Sequence, residues 1–310
     1  MQEPSKPRAG GLHRMLLLAM LCGINVMWGS IWVVSKFALR EMRPLQLAGW
    51  RTVVSGAVLM PWLVRDLRRG TIGMRALPAL AMLGFLAFVV AKALGYWGVN
   101  MSTGLNASLL TAVEPLLTMV LARMWLREAF TRRKLWGLAL GSGGAYLLIA
   151  RGLRLPDFSA AGVLGDLLFV AGLVMEALYS VWGKATLQRH SPLTVTAATI
   201  VAAAVIWIPV LAVDGAQNGW DAPGWVGIGA VLYMALGCTV IAYLAWFYAL
   251  THMEAGVAGM SILLQPLVGV LLSAMLLNER LPPAALLGGA LVVTGLYLVV
   301  KAPSGAGRTS

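Results

Sequence analysis

The sequence predicts an all-α integral membrane protein, with ten transmembrane helices forming two inverted five-helix repeats around a central cavity. Three observations predict it. The 310-residue chain is 59% hydrophobic and 12% charged, with mean hydropathy +0.81, whereas a soluble domain carries about 25% charged residues. Apolar runs of about 20 residues, enough to cross a bilayer, recur from end to end. A polar residue followed by proline also interrupts two such runs, 151 residues apart, at Glu114-Pro115 and at Gln265-Pro266.

The elements follow in order. The first fourteen residues are polar and basic, with Lys6, Arg8 and Arg14. The apolar run after them is longer than a signal-peptide core and lacks a small-residue cleavage site, so it reads as an uncleaved first span over roughly 15–38. Spans over roughly 45–64, 76–98, 104–126 and 134–150 complete the first half, residues 1–151. Spans over roughly 163–183, 193–213, 225–250, 256–277 and 284–301 make up the second, residues 152–302. Residues 303–310 are small and polar and read as a disordered tail. Pro115 and Pro266 fall mid-span. Each removes a backbone donor and frees the carbonyl four residues earlier. Such freed groups must face protein or water rather than lipid, which points to a central cavity.

The repeat extends beyond the prolines. At the same offset Glu128 matches Glu279, Gly137 matches Gly288, Gly144 matches Gly295 and Tyr146 matches Tyr297. Five spans per half is an odd number, so the halves insert with opposite orientation. With the N-terminus inside, sixteen Lys and Arg residues fall on the cytoplasmic side and seven outside. Both termini are therefore expected in the cytoplasm of a cell (inner) membrane. The net charge of +12 is spread over short loops, which argues against a nucleic-acid partner. Cys22 and Cys238 lie in apolar runs and read as packing residues. No metal-ligand spacing, phosphate loop or nucleophile elbow occurs, so no cofactor, metal or catalytic residue is expected. Gly137, Gly141, Gly144, Gly288 and Gly295 allow close helix contact, including contact between two copies in a homodimer.

Polar residues at membrane depth are the site candidates. With the third and fourth spans as a hairpin turning near Ser102, Lys92 and Glu114 lie about 15–18 Å below the outer surface. Opposite charges at one depth on adjacent antiparallel helices can pair. The repeat maps Lys92 onto Tyr243 and Glu114 onto Gln265, giving one charged half and one neutral half. Glu114 would bind a substrate amine or a coupling proton. The plainer alternatives are a structural ion pair, or a carboxylate bonded to backbone freed by Pro115. Glu176, with Tyr179 and Trp182 on its face, would hold an ammonium against an aromatic wall. It could instead simply face Lys184 or another helix. Asn25, Trp28 and Trp32 recur at helical spacing, with Asn25 facing the interior and Trp32 at the interface. Tyr243, Trp246 and Phe247 form an aromatic cluster that reads first as core packing. Trp97, Asn100, Tyr248 and Thr251 read as anchors or gates near span ends. Arg51 could meet a substrate carboxylate from the second span, but reads first as snorkelling outward.

With these residues in place, the chain resembles the EamA family of the drug/metabolite transporter superfamily over nearly its whole length. The resemblance rests on Trp28-Gly29-Ser30 with Lys36, on Glu114-Pro115 through Leu126-Arg127-Glu128, and on Gly137 to Tyr146. In the second half it rests on Gly237-Cys238-Thr239 with Tyr243, on Gln265-Pro266 through Asn278-Glu279-Arg280, and on Gly288 to Gly295. Arg127 and Asn278 stand where the family usually has glycine. The resemblance implies a ten-span secondary transporter working by alternating access, with export of an amino acid or amine as the expected activity, a small molecule and protons as partners and the bilayer as setting. A nucleotide-sugar or sugar-phosphate carrier would need several basic groups in the cavity. A membrane enzyme or lipid-handling protein would need a reactive cluster at one face.

Overall fold

The computed structural model describes residues 11–101, 110–149, 160–277 and 283–301. Among them the chain forms helices and no strands. In chain order these are α1 (Gly11–Ala38), α2 (Pro44–Arg68) and α3, which runs as Leu77–Phe85, a π-helical turn Leu86–Val90 and Ala91–Met101. Next come α4 (Glu114–Leu126), α5 (Arg132–Ile149), α6 (Ala160–Thr186) and α7 (Pro192–Asn218). α8 runs as Trp225–Leu232, a π-helical stretch Tyr233–Ile241 and Ala242–His252. α9 runs as Ala255–Met260, a 3-10 turn Ser261–Leu263 and Leu264–Leu277, and α10 is Pro283–Val300. The expected residues 104–109 of the fourth span, Asn278, Glu279 and the tail 303–310 lie outside the described residues.

Seven of these stretches are long and apolar enough to cross a membrane. Large apolar side chains such as Met15, Met124, Trp136, Leu167 and Leu286 stand exposed along the helices, a surface suited to lipid rather than water. This is a multi-pass membrane protein.

Local chemistry sets the helix ends. Proline opens α2 and α7, where its missing N–H costs nothing and its fixed φ suits the first turn. Ser191 caps α7, accepting from the Thr194 N–H at 3.1 Å. Pro44 and Pro192 are 148 residues apart, as are the internal Pro61 and Pro209. α4 ends at Arg127, whose φ of +55° is the left-handed conformation that glycine adopts most easily.

Packing pairs the helices across the two halves. α5 lies against α10, α2 against α7, α3 and α4 against α6, and α1 against α9 and α8. The α5–α10 contact is backbone on backbone. A Cβ placed on Gly144 would lie 2.5 Å from the Gly288 carbonyl, and one on Gly295 would lie 2.4 Å from the Gly137 carbonyl. The glycines therefore make an intramolecular seam.

Candidate functional site

The helix interruptions fall just ahead of the two prolines. Helical geometry breaks at Ala112–Val113 and resumes at Glu114, while the counterpart is the 3-10 turn Ser261–Leu263 ahead of Gln265-Pro266. Each proline removes an N–H that would have bonded back across the break. Glu114 thus opens a helix, where an acid meets the positive end of the dipole.

The π-helical turns shape the same level. Leu86–Val90 precedes Lys92, and Tyr233–Ile241 precedes Tyr243. A π turn leaves carbonyls without their usual partner, and buried acceptors need replacements. Two indoles supply them: Trp207 Nε1 donates to the Phe88 carbonyl at 3.0 Å, and Trp28 Nε1 to the Cys238 carbonyl at 2.8 Å.

Lys92 does not pair with Glu114 as the hairpin depth suggested. Its Nζ lies 2.5 Å from Glu176 Oε1, and 32% and 28% of the two side chains are exposed. The reason is packing order, because α3 and α4 both rest on α6, which brings Glu176 to Lys92. Lys184, the other partner considered for Glu176, pairs instead with Glu128 at 2.9 Å. Glu114 is buried. It lies within electrostatic range of both Glu176 and Lys92, and its carboxyl makes no hydrogen bond or ion pair among the described residues.

On the neutral side Asn25 is fully buried. Its amide donates to Ser261 Oγ and to the Leu21 carbonyl, both at 2.8 Å, and accepts from Gln265 Nε2 at 3.1 Å. Asn25 stands 151 residues before Glu176, as Gln265 stands 151 after Glu114 and Tyr243 151 after Lys92. Two matched trios therefore face the bundle: Lys92, Glu114 and Glu176, and Tyr243, Gln265 and Asn25.

An aromatic wall joins them. Tyr243 meets Trp28 at 5.2 Å, Phe88 at 5.0 Å and Tyr179 at 5.7 Å between ring centroids. Edge-to-face contacts of this kind rigidify a surface and present ring faces to cations. Tyr179 is buried and shares a hydrogen bond with Thr199 Oγ1 at 3.1 Å, which leaves it structural on that side. Trp246 and Phe247 are fully buried core residues, while Tyr243 is partly open. Trp182 packs on Trp125. Trp97 and Tyr248 are exposed near helix ends; the side chains of Trp32, Lys36 and Asn100 lie outside the described residues. Cys22 and Cys238 are free thiols.

One favoured expectation is overturned, and one arrangement escaped the sequence reading. Arg51 does not snorkel outward, because its Nε donates to Thr239 Oγ1 on α8 at 3.0 Å. The signal was an arginine two turns inside an apolar helix with no acid beside it. The arrangement that escaped is an ionic lattice at one end of the bundle. Glu128 accepts from Lys184 and from the Ala255 and Gly256 N–H groups at 2.7 and 3.0 Å, and Lys134 is buried against Glu254.

The family model of the EamA-like transporter family matches residues 14–150 and again 163–301. The chain belongs to the EamA-like transporter family. A protein of Escherichia coli (strain K12) named "probable amino-acid metabolite efflux pump" is 28% identical over 92% of this chain and 94% of its own. An uncharacterized transporter of Archaeoglobus fulgidus is 27% identical over 92% and 96%. A "probable terminal-alkyne amino-acid exporter" of Streptantibioticus cattleyicolor is 28% identical over 76% of each chain. A solved crystal structure, 18% identical, superposes with a TM-score of 0.76 over 92% of this chain and 96% of that one, which shows a shared fold. This EamA-family chain is thus related to transporters and efflux pumps along most of its length.

Proposed function

We propose that this EamA-family chain is a secondary transporter exporting a small metabolite, an amino acid or amine, by alternating access. Ten spans in two inverted halves, 1–151 and 152–302, enclose its site, with both termini in the cytoplasm of the inner membrane. The observation that carries the reading is the half-open Lys92–Glu176 pair beside the aromatic wall, with the buried carboxyl of Glu114, at the start of a broken helix, within its electrostatic range. Charged groups at membrane depth are costly and persist where they serve a pathway or pair with one another. Broken helices at corresponding positions mark the substrate level of repeat-built carriers. The pairing of α1 with α9, mirrored by α6 with α4, supports a pseudo-twofold arrangement.

Glu114 takes the ammonium or the coupling proton, and the aromatic faces flank the cation. A phosphate-bearing cargo fits less well, because Glu176 already neutralises Lys92. No enzymatic step is assigned.

The test is flux in liposomes carrying the purified protein and a labelled amino-acid mixture, with and without a pH gradient. Saturable flux that responds to the gradient is expected, and folded Glu114→Gln protein should lose the response. Absence of wild-type flux for every amino acid and amine would remove the reading.

A further inference from the structure

Arg51 has no role in the site as described so far, and its placement deepens the transport reading on which this inference rests. α2 begins at Pro44, so Arg51 sits two turns inside the helix. Snorkelling would carry its guanidinium toward the headgroups. The bond to Thr239 Oγ1 turns it inward instead. Thr239 is itself fixed: it is buried, and its hydroxyl donates to the Met234 carbonyl at 2.9 Å inside the π-helical stretch of α8.

Among the described residues no carboxylate meets this guanidinium, and its two terminal nitrogens make no hydrogen bond. Glu176 is committed to Lys92. Arg51 lies within electrostatic range of Lys92 and of Tyr243. Glu114 is in range of Lys92 and Glu176. The neutral Lys92–Glu176 pair therefore has an unmatched cation and an unmatched carboxyl for neighbours. A charge held at membrane depth calls for a counter-charge. A guanidinium presents two parallel N–H donors that match a carboxylate, which an ammonium such as Lys92 does not.

We infer that Arg51 anchors the carboxylate of a zwitterionic substrate, an α-amino acid whose ammonium lies toward Glu114 and whose side chain lies along the aromatic wall. Thr239 is the positioning residue that aims the guanidinium. Arg51 is thereby the residue that separates amino acids from plain amines.

The experiment compares three probes in the same liposomes: the amino acid carried best, its primary amide and its decarboxylated amine. Wild-type protein is expected to half-saturate with the acid at a concentration about 10-fold or more below that for the amide or amine, as for a charge-assisted bond gained. Arg51→Gln should raise that concentration for the acid by about 10-fold and leave the other two within about two-fold. Arg51→Lys should fall between. Thr239→Val keeps the charge and should narrow the acid-to-amide ratio without abolishing flux, so it carries the comparison if Arg51→Gln fails to fold. Equal handling of acid and amide by the wild type, or equal loss of both in the variants, overturns the Arg51 assignment and leaves transport standing. No wild-type flux with any probe overturns both.

Discussion

Neutralising one member of the Lys92–Glu176 pair should reveal how much the bundle depends on it. The partners meet at 2.5 Å with about a third of each side chain exposed. Exposed pairs contribute about 0.2–1 kcal/mol, and breaking a fully buried pair costs about 3–5 kcal/mol. This pair lies between those limits, so Glu176→Gln should cost about 1–3 kcal/mol by leaving an ammonium without its counter-ion. Lys92→Gln should cost a similar amount, because it strands Glu176 near Glu114. The double variant Lys92→Gln/Glu176→Gln should be more stable than the sum of the single losses predicts, with a coupling energy of about 1–2 kcal/mol. The measurement is a double-mutant cycle on detergent-purified protein, read by reversible denaturant unfolding. Additive losses within about 0.5 kcal/mol would mean that the two side chains do not depend on each other, and the site would lose its central contact.

Other consequences are as direct. Arg127→Gly should raise stability by about 1 kcal/mol, because it relieves a left-handed backbone at φ +55°; a decrease in unfolding midpoint would mean that the Arg127 side chain matters more than its backbone. Gly144→Val should destabilise by about 1–3 kcal/mol or prevent folding, since its Cβ meets the Gly288 carbonyl at 2.5 Å; unchanged size-exclusion behaviour and thermal stability would contradict the close α5–α10 seam. Asn25→Leu should cost about 1–3 kcal/mol by leaving Ser261 and Gln265 without their shared partner, read by thermal unfolding. Glu128→Ala removes the acceptor of two backbone N–H groups and Lys184 together. It should destabilise by about 1–3 kcal/mol, and an unchanged midpoint would show that the lattice is surface decoration.

Hydropathy located the described helices to within a few residues, and the proline pair located both interruptions. These features are local, carried by run length and by one missing N–H. The partner of Lys92 was not local. Depth along two helices is readable from residue counts, but neighbourhood is not, and α6 lies against both α3 and α4. The π-helical turns before Lys92 and Tyr243 left no sequence mark, since neither proline nor a glycine pair forces them. What holds them is tertiary: the indoles of Trp207 and Trp28 come from other helices. The α2 and α7 prolines repeat at 148 residues rather than 151, so they fall outside the register that the Glu114-Pro115 and Gln265-Pro266 pair defines.

The amide cluster of Asn25, Ser261 and Gln265 keeps every bond whatever the acidity around it, because none of its members ionises between pH 2 and 12. The line along which α1 meets α9 is therefore a constant clasp. Across the bundle, where α6 meets α4, the places matching Asn25 and Gln265 hold the carboxyls of Glu176 and Glu114, and Glu114 makes no hydrogen bond or ion pair among the described residues. The alternating access proposed for this chain needs one edge that stays fastened and one that answers to what arrives. The two edges, matched in position but different in these side chains, would supply both.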